Sequence, residues 1–385
     1  NRRSSSAPLE IARQVKLLWQ LPAGSIHDPT APITCRGRLF VAGGDGAVAC
    51  YSLDDGKRRW KVSTGGAIFF PPTEHAGRIY VGSGDGYLYA FCRESGDLDW
   101  RFRAAPRERK IPVYGRLMST WPVASGVLAD RGVLYAAAGI ASYDGTHVVS
   151  LDAQTGEIRW HNDACGQLAP GEGNPGVSVQ GHLLLEGDVL YLAGGSAVSP
   201  AMFDAQSGRC LNEVADPLCT APRGRDLFLM GDKVVAYDRI LYSPKPYWQG
   251  HFYTGPLCQA YADGITVRGG EQYVARIDPA TASRWTQDLW HTEVPPKRLW
   301  QNDHLELAQA VVLGKDAAVF AGRMRSKGGV SEPRYAMAAF ANADGSALWT
   351  EPLPAMPVPF GLATDAAGRL LVATEDGGIL CFGKK

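Results

Sequence analysis

Residues 77–106, GRIYVGSGDGYLYAFCRESGDLDWRFRAAP, decide the fold because they repeat the pattern of residues 37–66, GRLFVAGGDGAVACYSLDDGKRRWKVSTGG. In both stretches an alternating apolar run leads through Gly-Asp-Gly into a second alternating run, and a tryptophan follows four residues after a later glycine. Alternation with a period of two predicts strands with one buried face. Asp-Gly between two such runs predicts a two-residue hairpin, because glycine adopts the positive φ that type I′ turns require.

Weaker copies of this unit continue along the 385 residues. They occupy residues 130–163, 186–216, 263–286 and 313–349, and residues 366–382 contain only the first half of a unit. The residues at the tryptophan position are Trp19, Trp60, Trp100, Trp160, Asn212, Trp285 and Trp349. Four strands per unit, at a spacing of roughly 40 to 70 residues, predict a β-propeller.

The missing half of the last unit lies at the N-terminus. Residues 16–24 match residues 57–65 in the spacing of lysine, tryptophan and glycine. We therefore expect the N-terminal strand to complete the sheet begun by residues 366–382, because this pairing closes the ring and covers two open sheet edges. A linear solenoid has no reason to divide a unit between its two ends.

These patterns predict an all-β chain, folded as one seven-bladed β-propeller of four-stranded antiparallel blades over residues 15–385, with a linker at residues 1–14. The architecture is similar to that of WD repeats, which also place four strands in each blade. Residues 227–242 contain one further pair of predicted strands. If that pair forms a sheet of its own, the blades number eight. Seven is preferred because no glycine–tryptophan ending lies between positions 212 and 285.

The unit GxxYVGSxDGxLYAxxxxxGxxxW resembles the repeat of the pyrroloquinoline-quinone-like (PQQ-like) propeller family. The match is carried by Gly77, Tyr80, Val81, Gly82, Ser83, Asp85, Gly86, Leu88, Tyr89, Ala90, Gly96 and Trp100. In style the repeats are most similar to those of the outer-membrane assembly lipoprotein and of bacterial surface propellers. The resemblance implies a periplasmic or cell-surface protein, and it implies that the unit tryptophans dock against the neighbouring blade. The tryptophans given this role are Trp19, Trp60, Trp100, Trp160, Trp285 and Trp349.

Quinone-dependent dehydrogenases of this family resemble the chain only in the repeat. They usually carry a disulfide between adjacent cysteines, and some carry CxxCH for haem, whereas the eight cysteines here stand singly. No CxxC or HxH spacing favours a metal site. The sequence therefore predicts no cofactor and no metal, and a quinone-dependent dehydrogenase is the least favoured function.

Charge and hydropathy argue against two classes of partner. The chain has 39 basic and 39 acidic residues, so its surface as a whole does not favour nucleic acid or anionic lipid. No apolar run approaches ~18 residues, so no membrane span is predicted. The expected partner is a protein or a glycan.

Candidate site residues lie on the loops that join one blade to the next, around the central channel, because binding residues concentrate on loops that a rigid scaffold positions. The most distinctive insertion, residues 105–120, contains Arg109, Tyr114 and Arg116 and is followed by Trp121. Predicted loops at 244–257 and 291–305 and a position in an earlier loop add Trp248, His251, Asp303, His304 and Asn174. Aromatic rings beside arginines suit an acidic sugar, since a guanidinium group binds a carboxylate in a fork.

Two functions follow from these loops. The preferred one is a binding or scaffold module that presents its funnel face to a partner, since no Ser–His–Asp pattern or acidic pair stands out. The alternative is a lyase or hydrolase acting on an acidic polysaccharide. In that alternative Tyr114 or His304 moves the proton, and Arg109 or Arg116 neutralises the carboxylate. A third interpretation treats the loops as plugs whose arginines and tyrosines satisfy loop carbonyls. Catalysis, the identity of the ligand or partner and the oligomeric state stay open at this point.

Overall fold

The computed structural model describes residues 9–113, 115–168, 176–179, 181–192, 198, 200–212, 226–230, 233–237, 257–281, 297–326 and 332–385. These residues form antiparallel β-sheets, as the sequence predicts. The helical segments among them are two short 3₁₀ turns, Ser142–Asp144 and Pro279–Thr281. In this part of the chain no helix is long and apolar enough to cross a membrane.

The strands follow one another in sheets along the chain, after a first strand β1 (Val15–Leu21). Sheet 1 consists of β2 (Ile33–Cys35), β3 (Arg38–Ala42), β4 (Ala47–Ser52) and β5 (Arg58–Ser63). Sheet 2 consists of β6 (Thr73–His75), β7 (Arg78–Gly82), β8 (Tyr87–Cys92) and β9 (Leu98–Arg103). An inserted hairpin consists of β10 (Lys110–Val113) and β11 (Arg116–Ser119). Sheet 3 consists of β12 (Val123–Asp130), β13 (Val133–Ala138), β14 (His147–Asp152) and β15 (Ile158–Asn162).

Five further sheets follow in the second half of the chain. The described strands of sheet 4 are β16 (Leu183–Glu186), β17 (Val189–Leu192) and β18 (Ala201–Asp204), and those of sheet 5 are β19 (Asp226–Met230) and β20 (Lys233–Tyr237). Sheet 6 consists of β21 (Cys258–Ala262), β22 (Ile265–Gly269), β23 (Val274–Ile277) and β24 (Arg298–Asn302). Sheet 7 consists of β25 (Leu305–Leu313), β26 (Ala317–Met324), β27 (Tyr335–Ala341) and β28 (Ala347–Leu353). Sheet 8 contains β29 (Pro357–Thr364), β30 (Leu370–Thr374) and β31 (Ile379–Lys384) together with β1.

Sheet 8 joins the two ends of the chain. Its outermost strand is β1, which pairs antiparallel with β31 so that Trp19 faces Cys381 and Gln20 faces Leu380. The N-terminal strand therefore completes the last sheet, as the divided repeat predicts. The pairing covers an edge of β31 that would otherwise present free backbone groups to other chains.

Apolar side chains fill the layers between successive sheets. Buried clusters join sheets 1 and 2, 2 and 3, 3 and 4, 6 and 7, 7 and 8, and 8 and 1. Sheet 5 contacts sheet 4 on one side and sheet 6 on the other. Within the described residues β19 and β20 pair only with each other, which is the condition that the sequence analysis sets for eight blades. The number of blades stays a prediction, and this separate sheet favours eight over seven.

The Gly-Asp-Gly turns have a different geometry from the predicted two-residue hairpins. In sheet 1 the connection is residues 43–46, where the N–H of Gly46 donates to the C=O of Gly43 at 3.0 Å. Only Gly46 within this connection has a positive φ, of 80°. A turn followed by a left-handed glycine fits the twist of the flanking strands. The predicted role of the glycine is thus confirmed, whereas the type I′ geometry is wrong.

A tryptophan in the outermost strand of one sheet packs on a glycine in a turn of the next. Trp60 lies against Gly96, and its Nε1 donates a hydrogen bond to the C=O of Arg93 at 3.1 Å. A β-carbon at Gly96 would stand 2.8 Å from the Trp60 ring, so only glycine fits there. The same contact joins Trp19 to Gly56, Trp100 to Gly156, Trp160 to Gly208 and Trp300 to Gly345. We call it the Trp–Gly contact, and it is the docking role that the family resemblance implies.

Trp300 takes this role in sheet 6, where the sequence analysis assigns it to Trp285. Trp300 lies on β24, is buried, and donates its Nε1 to the C=O of Asn342 at 3.0 Å. Trp285 lies outside the described residues. The spacing is misleading here because β23 ends at Ile277 and β24 begins at Arg298, so the connecting segment is far longer in sequence than in sheets 1 to 3. Of the predicted loop at 291–305, residues 298–302 are strand β24 and residues 303–304 are a connection, while residues 291–296 lie outside the described residues.

Residues 9–14, assigned to a linker in the sequence analysis, pack on sheet 7. Ile11 is buried in the layer between sheets 7 and 8, and its N–H donates to Asp316 Oδ1 at 2.9 Å. The C=O of Ala12 accepts the Nε1 of Trp349 at 2.8 Å. Because sheet 8 has the two ends of the chain where the other sheets have a turn, Ala12 supplies the carbonyl that a turn residue supplies elsewhere.

Candidate binding face

The connections of each four-stranded antiparallel sheet emerge at its two opposite ends. The connection between its second and third strands and the connections to neighbouring sheets emerge on one side, which we call the loop face. The other two connections emerge on the opposite side, which we call the turn face. Every predicted site residue within the described segments lies on the loop face.

The predicted insertion at residues 105–120 is a β-hairpin on the loop face. β10 and β11 pair from Lys110 opposite Ser119 to Val113 opposite Arg116. The base of the hairpin is fixed to sheet 2, because the N–H of Ser119 donates to the C=O of Gly84 at 2.7 Å. The insertion therefore contains a structured hairpin, which its composition alone does not predict.

Arg116 extends from the hairpin to sheet 1. Its Nη1 donates to the C=O of Gly44 at 2.7 Å, and its Nη2 lies 3.2 Å from Asp28 Oδ2 and 2.6 Å from His27 Nε2. A guanidinium group can only donate, so His27 Nε2 is the acceptor. The Arg116 side chain is 49% exposed, and an exposed ion pair adds only about 0–1 kcal/mol to stability. The contact fixes the direction of the hairpin and matches the interpretation in which an arginine satisfies a loop carbonyl.

Glu108 connects the start of the hairpin to sheet 2. The hydroxyl of Tyr87 donates to Glu108 Oε1 at 2.7 Å, and this hydrogen bond to the carboxylate raises the pKa of Tyr87. The guanidinium of Arg101 lies 5.2 Å from the centre of the Tyr87 ring. Arg109 and Lys110 are exposed and form no ion pair with any described residue. Two cations of the hairpin are thus available to a partner.

Trp121 joins the base of the hairpin to sheet 3. Its Nε1 donates to the C=O of Asp144 at 2.7 Å, and the guanidinium of Arg107 lies 5.8 Å from its ring centre. Trp121 is only 4% exposed, which leaves little ring surface for a ligand. We assign this predicted ligand-binding residue a positioning role, because it holds the connection at residues 139–146 beside the hairpin.

A pair of histidines lies below Trp121 in sheet 3. Nδ1 of His147 lies 3.0 Å from Nε2 of His161, and the two rings are 5.2 Å apart. Burial lowers the pKa of His147, and the neighbouring imidazole of His161 lowers it further, while Asp163 acts in the opposite direction. The lowered pKa favours the neutral form of His147, whose ring packs against Trp121 and His161.

Asp303 and His304 lie on the connection from sheet 6 to sheet 7. Asp303 Oδ2 is 2.6 Å from Arg325 Nη1, and His304 Nε2 is 3.1 Å from Thr350 Oγ1. These contacts stay within sheets 6 and 7, whereas the hairpin contacts sheets 1 to 3. Among the described residues no hydrogen bond or ion pair joins the two groups, so the structure brings the predicted site residues together in two sets and not in one.

Four predicted site residues lie outside the described residues. They are Tyr114, Asn174, Trp248 and His251. Their assignment to a ligand site therefore stays a prediction.

Four large apolar side chains are exposed on the loop face, and none of them is among the site residues predicted from the sequence. They are Phe69 (45% exposed), Leu117 (67%), Ile140 (40%) and Tyr143 (67%). Leu117 belongs to β11, and Ile140 and Tyr143 belong to the connection that Trp121 holds beside the hairpin. The signal in the sequence is an apolar residue inside a predicted loop, without a charged neighbour pattern to mark it.

The described residues do not provide the donor set of a metal or quinone site. No three of their His, Cys, Asp or Glu side chains are grouped so as to hold a metal ion. Their cysteines are unpaired and lie far apart in the sequence, whereas the dehydrogenases that the resemblance suggests carry a disulfide between adjacent cysteines. These residues do not fit a quinone, and we derive no reaction through one.

The fold and its loop face define a PQQ-like β-propeller. The family model described as outer membrane protein assembly factor BamB matches residues 12–240, which is more than half of the chain, and the chain belongs to this family. A comparison with curated proteins finds no match.

Two solved structures with TM-scores above 0.5 show the same fold at low sequence identity, and a third is similar at a lower score. The quinohemoprotein alcohol dehydrogenase ADHIIG of Pseudomonas putida HK5 is 12% identical, with 98% of this chain and 78% of that chain covered at a TM-score of 0.59. A europium-containing methanol dehydrogenase is 12% identical, with 96% and 87% covered at a TM-score of 0.56. BamB of Moraxella catarrhalis is 13% identical, with 92% and 82% covered at a TM-score of 0.41. A shared fold at such identities does not imply a shared activity.

Proposed function

We propose that this protein is a non-catalytic binding module whose loop face docks a protein partner. The observation that carries the proposal is the exposure of Phe69, Leu117, Ile140 and Tyr143 on one face. The other exposed large apolar residues in the described segments lie on the outer strands β1, β9, β15 and β24. Aromatic and aliphatic side chains exposed near arginines are typical of surfaces that contact proteins.

The family supports a protein partner over a glycan. Its description, outer membrane protein assembly factor, is that of an extracytoplasmic family that acts on or with proteins. We therefore propose a periplasmic or cell-surface location for this chain. The exposed apolar side chains agree with that choice, since apolar anchors supply most of the binding energy at protein interfaces.

The alternative of a polysaccharide lyase or hydrolase gains no support from the described residues. Such chemistry needs a cation that neutralises a carboxylate beside a group that transfers a proton. Arg116 is bound to Asp28 and Gly44, while His304 contacts Thr350 in a different part of the ring. Arg116 and His304 are thus engaged separately, whereas Arg109 forms no ion pair with a described residue and Tyr114 lies outside the described residues.

Site-specific photo-crosslinking in the source cells tests the binding proposal. A photoreactive phenylalanine at Leu117 or Tyr143 should give one discrete protein adduct. The same residue at Leu98 or Ile158, which are 51% and 52% exposed on outer strands, should give none and serves as the matched control. Equal adducts at both pairs of positions would remove the loop face as the docking site.

A second experiment tests the absence of catalysis. Purified protein is incubated with uronic-acid polymers, and the absorbance of unsaturated chain ends is followed. We expect a flat trace with every substrate. Saturable product formation that the purified protein alone catalyses would overturn the non-catalytic assignment.

A further inference from the structure

We propose that the hairpin and the adjacent connection of sheet 3 form a docking surface for an acidic protein segment that carries apolar side chains. The inference rests on the proposed function and specifies the chemistry of the partner. We call this area the hairpin surface. Its residues are Arg107, Arg109, Lys110, Leu117, Ile140 and Tyr143.

The hairpin surface carries a local excess of positive charge in a chain whose net charge is zero. Its basic side chains are Arg107, Arg109 and Lys110, and the one acidic side chain between them in the sequence is Glu108. Glu108 accepts a hydrogen bond from Tyr87, and Arg116 is already paired with Asp28. Unpaired cations gathered at one site attract an acidic partner and accelerate its association.

Two arginines elsewhere in the described residues are neutralised by carboxylates of the chain. Arg93 pairs with Glu74 and Glu94, and Arg369 pairs with Asp54 and Asp365. These pairs lie at contacts between or within sheets and serve the fold. Arg109 and Lys110 of the hairpin surface have no such acidic neighbour among the described residues, so an acidic group from outside the chain would supply the missing charge.

The surface is fixed in place before any partner binds. Ser119 connects the hairpin to Gly84 of sheet 2, and Arg116 connects it to Gly44 of sheet 1. Trp121 attaches the connection that contains Ile140 and Tyr143. A surface that is already ordered loses less conformational entropy on binding than a mobile loop does.

The apolar side chains define the second property of the partner. Leu117 and Tyr143 are each 67% exposed, so most of their surface contacts water. A partner with charge alone, such as polyglutamate or nucleic acid, would leave these side chains in water. Buried apolar anchors inside a charged rim supply most of the affinity of protein interfaces, and this favours an acidic segment with apolar residues.

The backbone of the hairpin offers little to a partner strand. Pro112 on β10 has no N–H, and the N–H of Ser119 on β11 is already bound to Gly84. A proline in an edge strand hinders the pairing of a further strand. The partner is therefore held by side chains and not by addition of a strand to the hairpin.

Fluorescence anisotropy with a labelled twelve-residue peptide, three repeats of Asp-Leu-Glu-Phe, tests the inference. The double variant Arg109→Glu/Lys110→Glu and the single variant Leu117→Ser should each weaken binding by about tenfold or more. The control variants Lys16→Glu/Arg58→Glu and Leu98→Ser make the same chemical changes at exposed outer-strand positions. They should change the dissociation constant by less than about twofold, because contacts remote from an interface are energetically independent of it.

Equal weakening by the test and control variants would overturn the inference. Binding of polyglutamate, of duplex DNA or of anionic phospholipid vesicles as strong as binding of the peptide would also overturn it, because it would show that charge alone is recognised. If crosslinks from Tyr143 in cells persist in the Arg109→Glu/Lys110→Glu variant, the proposed function stands and the acidic-segment inference fails.

Discussion

The turn face and the loop face belong to the same sheets but differ in how closely they follow the repeat. On the turn face, the Nε1 of Trp19, Trp60, Trp160 and Trp300 each donates to the carbonyl three residues before the contacted glycine. On the loop face, the connection from sheet 6 to sheet 7 is residues 303–304, whereas that from sheet 2 to sheet 3 is residues 104–122. The repeat holds the sheets together on one side, and departures from it create the candidate binding surface on the other.

One contact on the turn face departs from the common pattern. Nε1 of Trp100 is buried without a hydrogen-bond partner in the described residues. The carbonyl in the corresponding place, that of Ala153, accepts the hydroxyl of Tyr80 at 2.7 Å. The exception lies between sheets 2 and 3, the same two sheets that carry the hairpin, so the sequence departs from the repeat on both faces at this junction.

The largest expected effect is the loss of a Trp–Gly contact. Trp160→Ala removes a ring that is 9% exposed and its hydrogen bond to Ala205, so we expect the free energy of unfolding to fall by about 3–5 kcal/mol. Leu117→Ala on the loop face should change it by less than about 0.5 kcal/mol. Urea denaturation monitored by circular dichroism, and not by tryptophan fluorescence, measures both free energies of unfolding. Equal losses in the two variants would contradict the difference between the turn face and the loop face.

Alanine substitution of two glycines with similar backbone conformation distinguishes the cost of a steric clash from the cost of backbone strain. Gly96 has a φ of 81° and contacts Trp60, whereas Gly37 has a φ of 74° and nothing within 4 Å of an added β-carbon. Gly37→Ala should cost about 1–2 kcal/mol from backbone strain alone. Gly96→Ala should cost about 1–3 kcal/mol more, because the methyl group also displaces the ring. Denaturant midpoints measure the difference, and identical midpoints would mean that the ring moves away at no cost.

The unusual Trp100 offers a test of the hydrogen bond in the contact. Trp60→Phe leaves the carbonyl of Arg93 without the indole donor, whereas Trp100→Phe removes a donor that has no described partner. We expect Trp60→Phe to be the more destabilising by about 1–3 kcal/mol. Thermal melts of the two variants decide, and the reverse order would show that the shape of the ring outweighs its hydrogen bond.

Arg116→Ala should loosen the attachment of the hairpin to sheet 1 without lowering the global stability of the protein. The exposed contacts of Arg116 with Gly44 and Asp28 contribute about 0–1 kcal/mol, so the melting temperature should hardly change. Amide exchange of β10 and β11 should become faster, because the hairpin loses its attachment to sheet 1. Arg131→Ala, which removes an exposed pair with Asp130 on the turn face, is the matched control. Unchanged exchange in the hairpin would show that Ser119 and Trp121 suffice.

The smallest expected effect is a loss of folding stability at low pH that depends on His147. The folded protein lowers the pKa of His147 below its ordinary value of about 6.5, so below this pH the unfolded chain binds a proton that the folded chain does not. Stability is therefore complete above the ordinary pKa, and part of it is lost as the pH falls from there towards the lowered value. His147→Gln should remove this part of the loss in unfolding experiments between pH 5 and pH 8. An unchanged pH profile would assign the loss to other groups.

Much of the fold follows from local pattern. The alternation around Leu39 and Val41, the glycine at 46 and the lysine–tryptophan–glycine spacing at residues 16–24 lead to the correct strands and to the pairing of β1 with β31. The error at Trp285 has a simple cause. A long insertion before β24 placed a tryptophan at nearly the expected distance, and sequence spacing cannot distinguish it from the true contact residue.

The candidate site was predictable in part. The basic insertion at residues 105–120 was recognised from its composition, and Arg109 does lie exposed on it. The burial of Trp121 and the exposure of Leu117 and Tyr143 were not foreseen, because side chains within loops have no periodicity that marks them as inward or outward.

By itself the sequence determined most of the strands, their antiparallel pairing and the joining of the two chain ends, because these depend on a period of two, on glycines at positive φ and on a repeated tryptophan. Only the tertiary structure decided that Arg116 meets Asp28, 88 residues away, and that Trp121 holds Tyr143 beside the hairpin. Such contacts depend on how neighbouring sheets pack. No local pattern records the distance between two loops that the packing of sheets brings together.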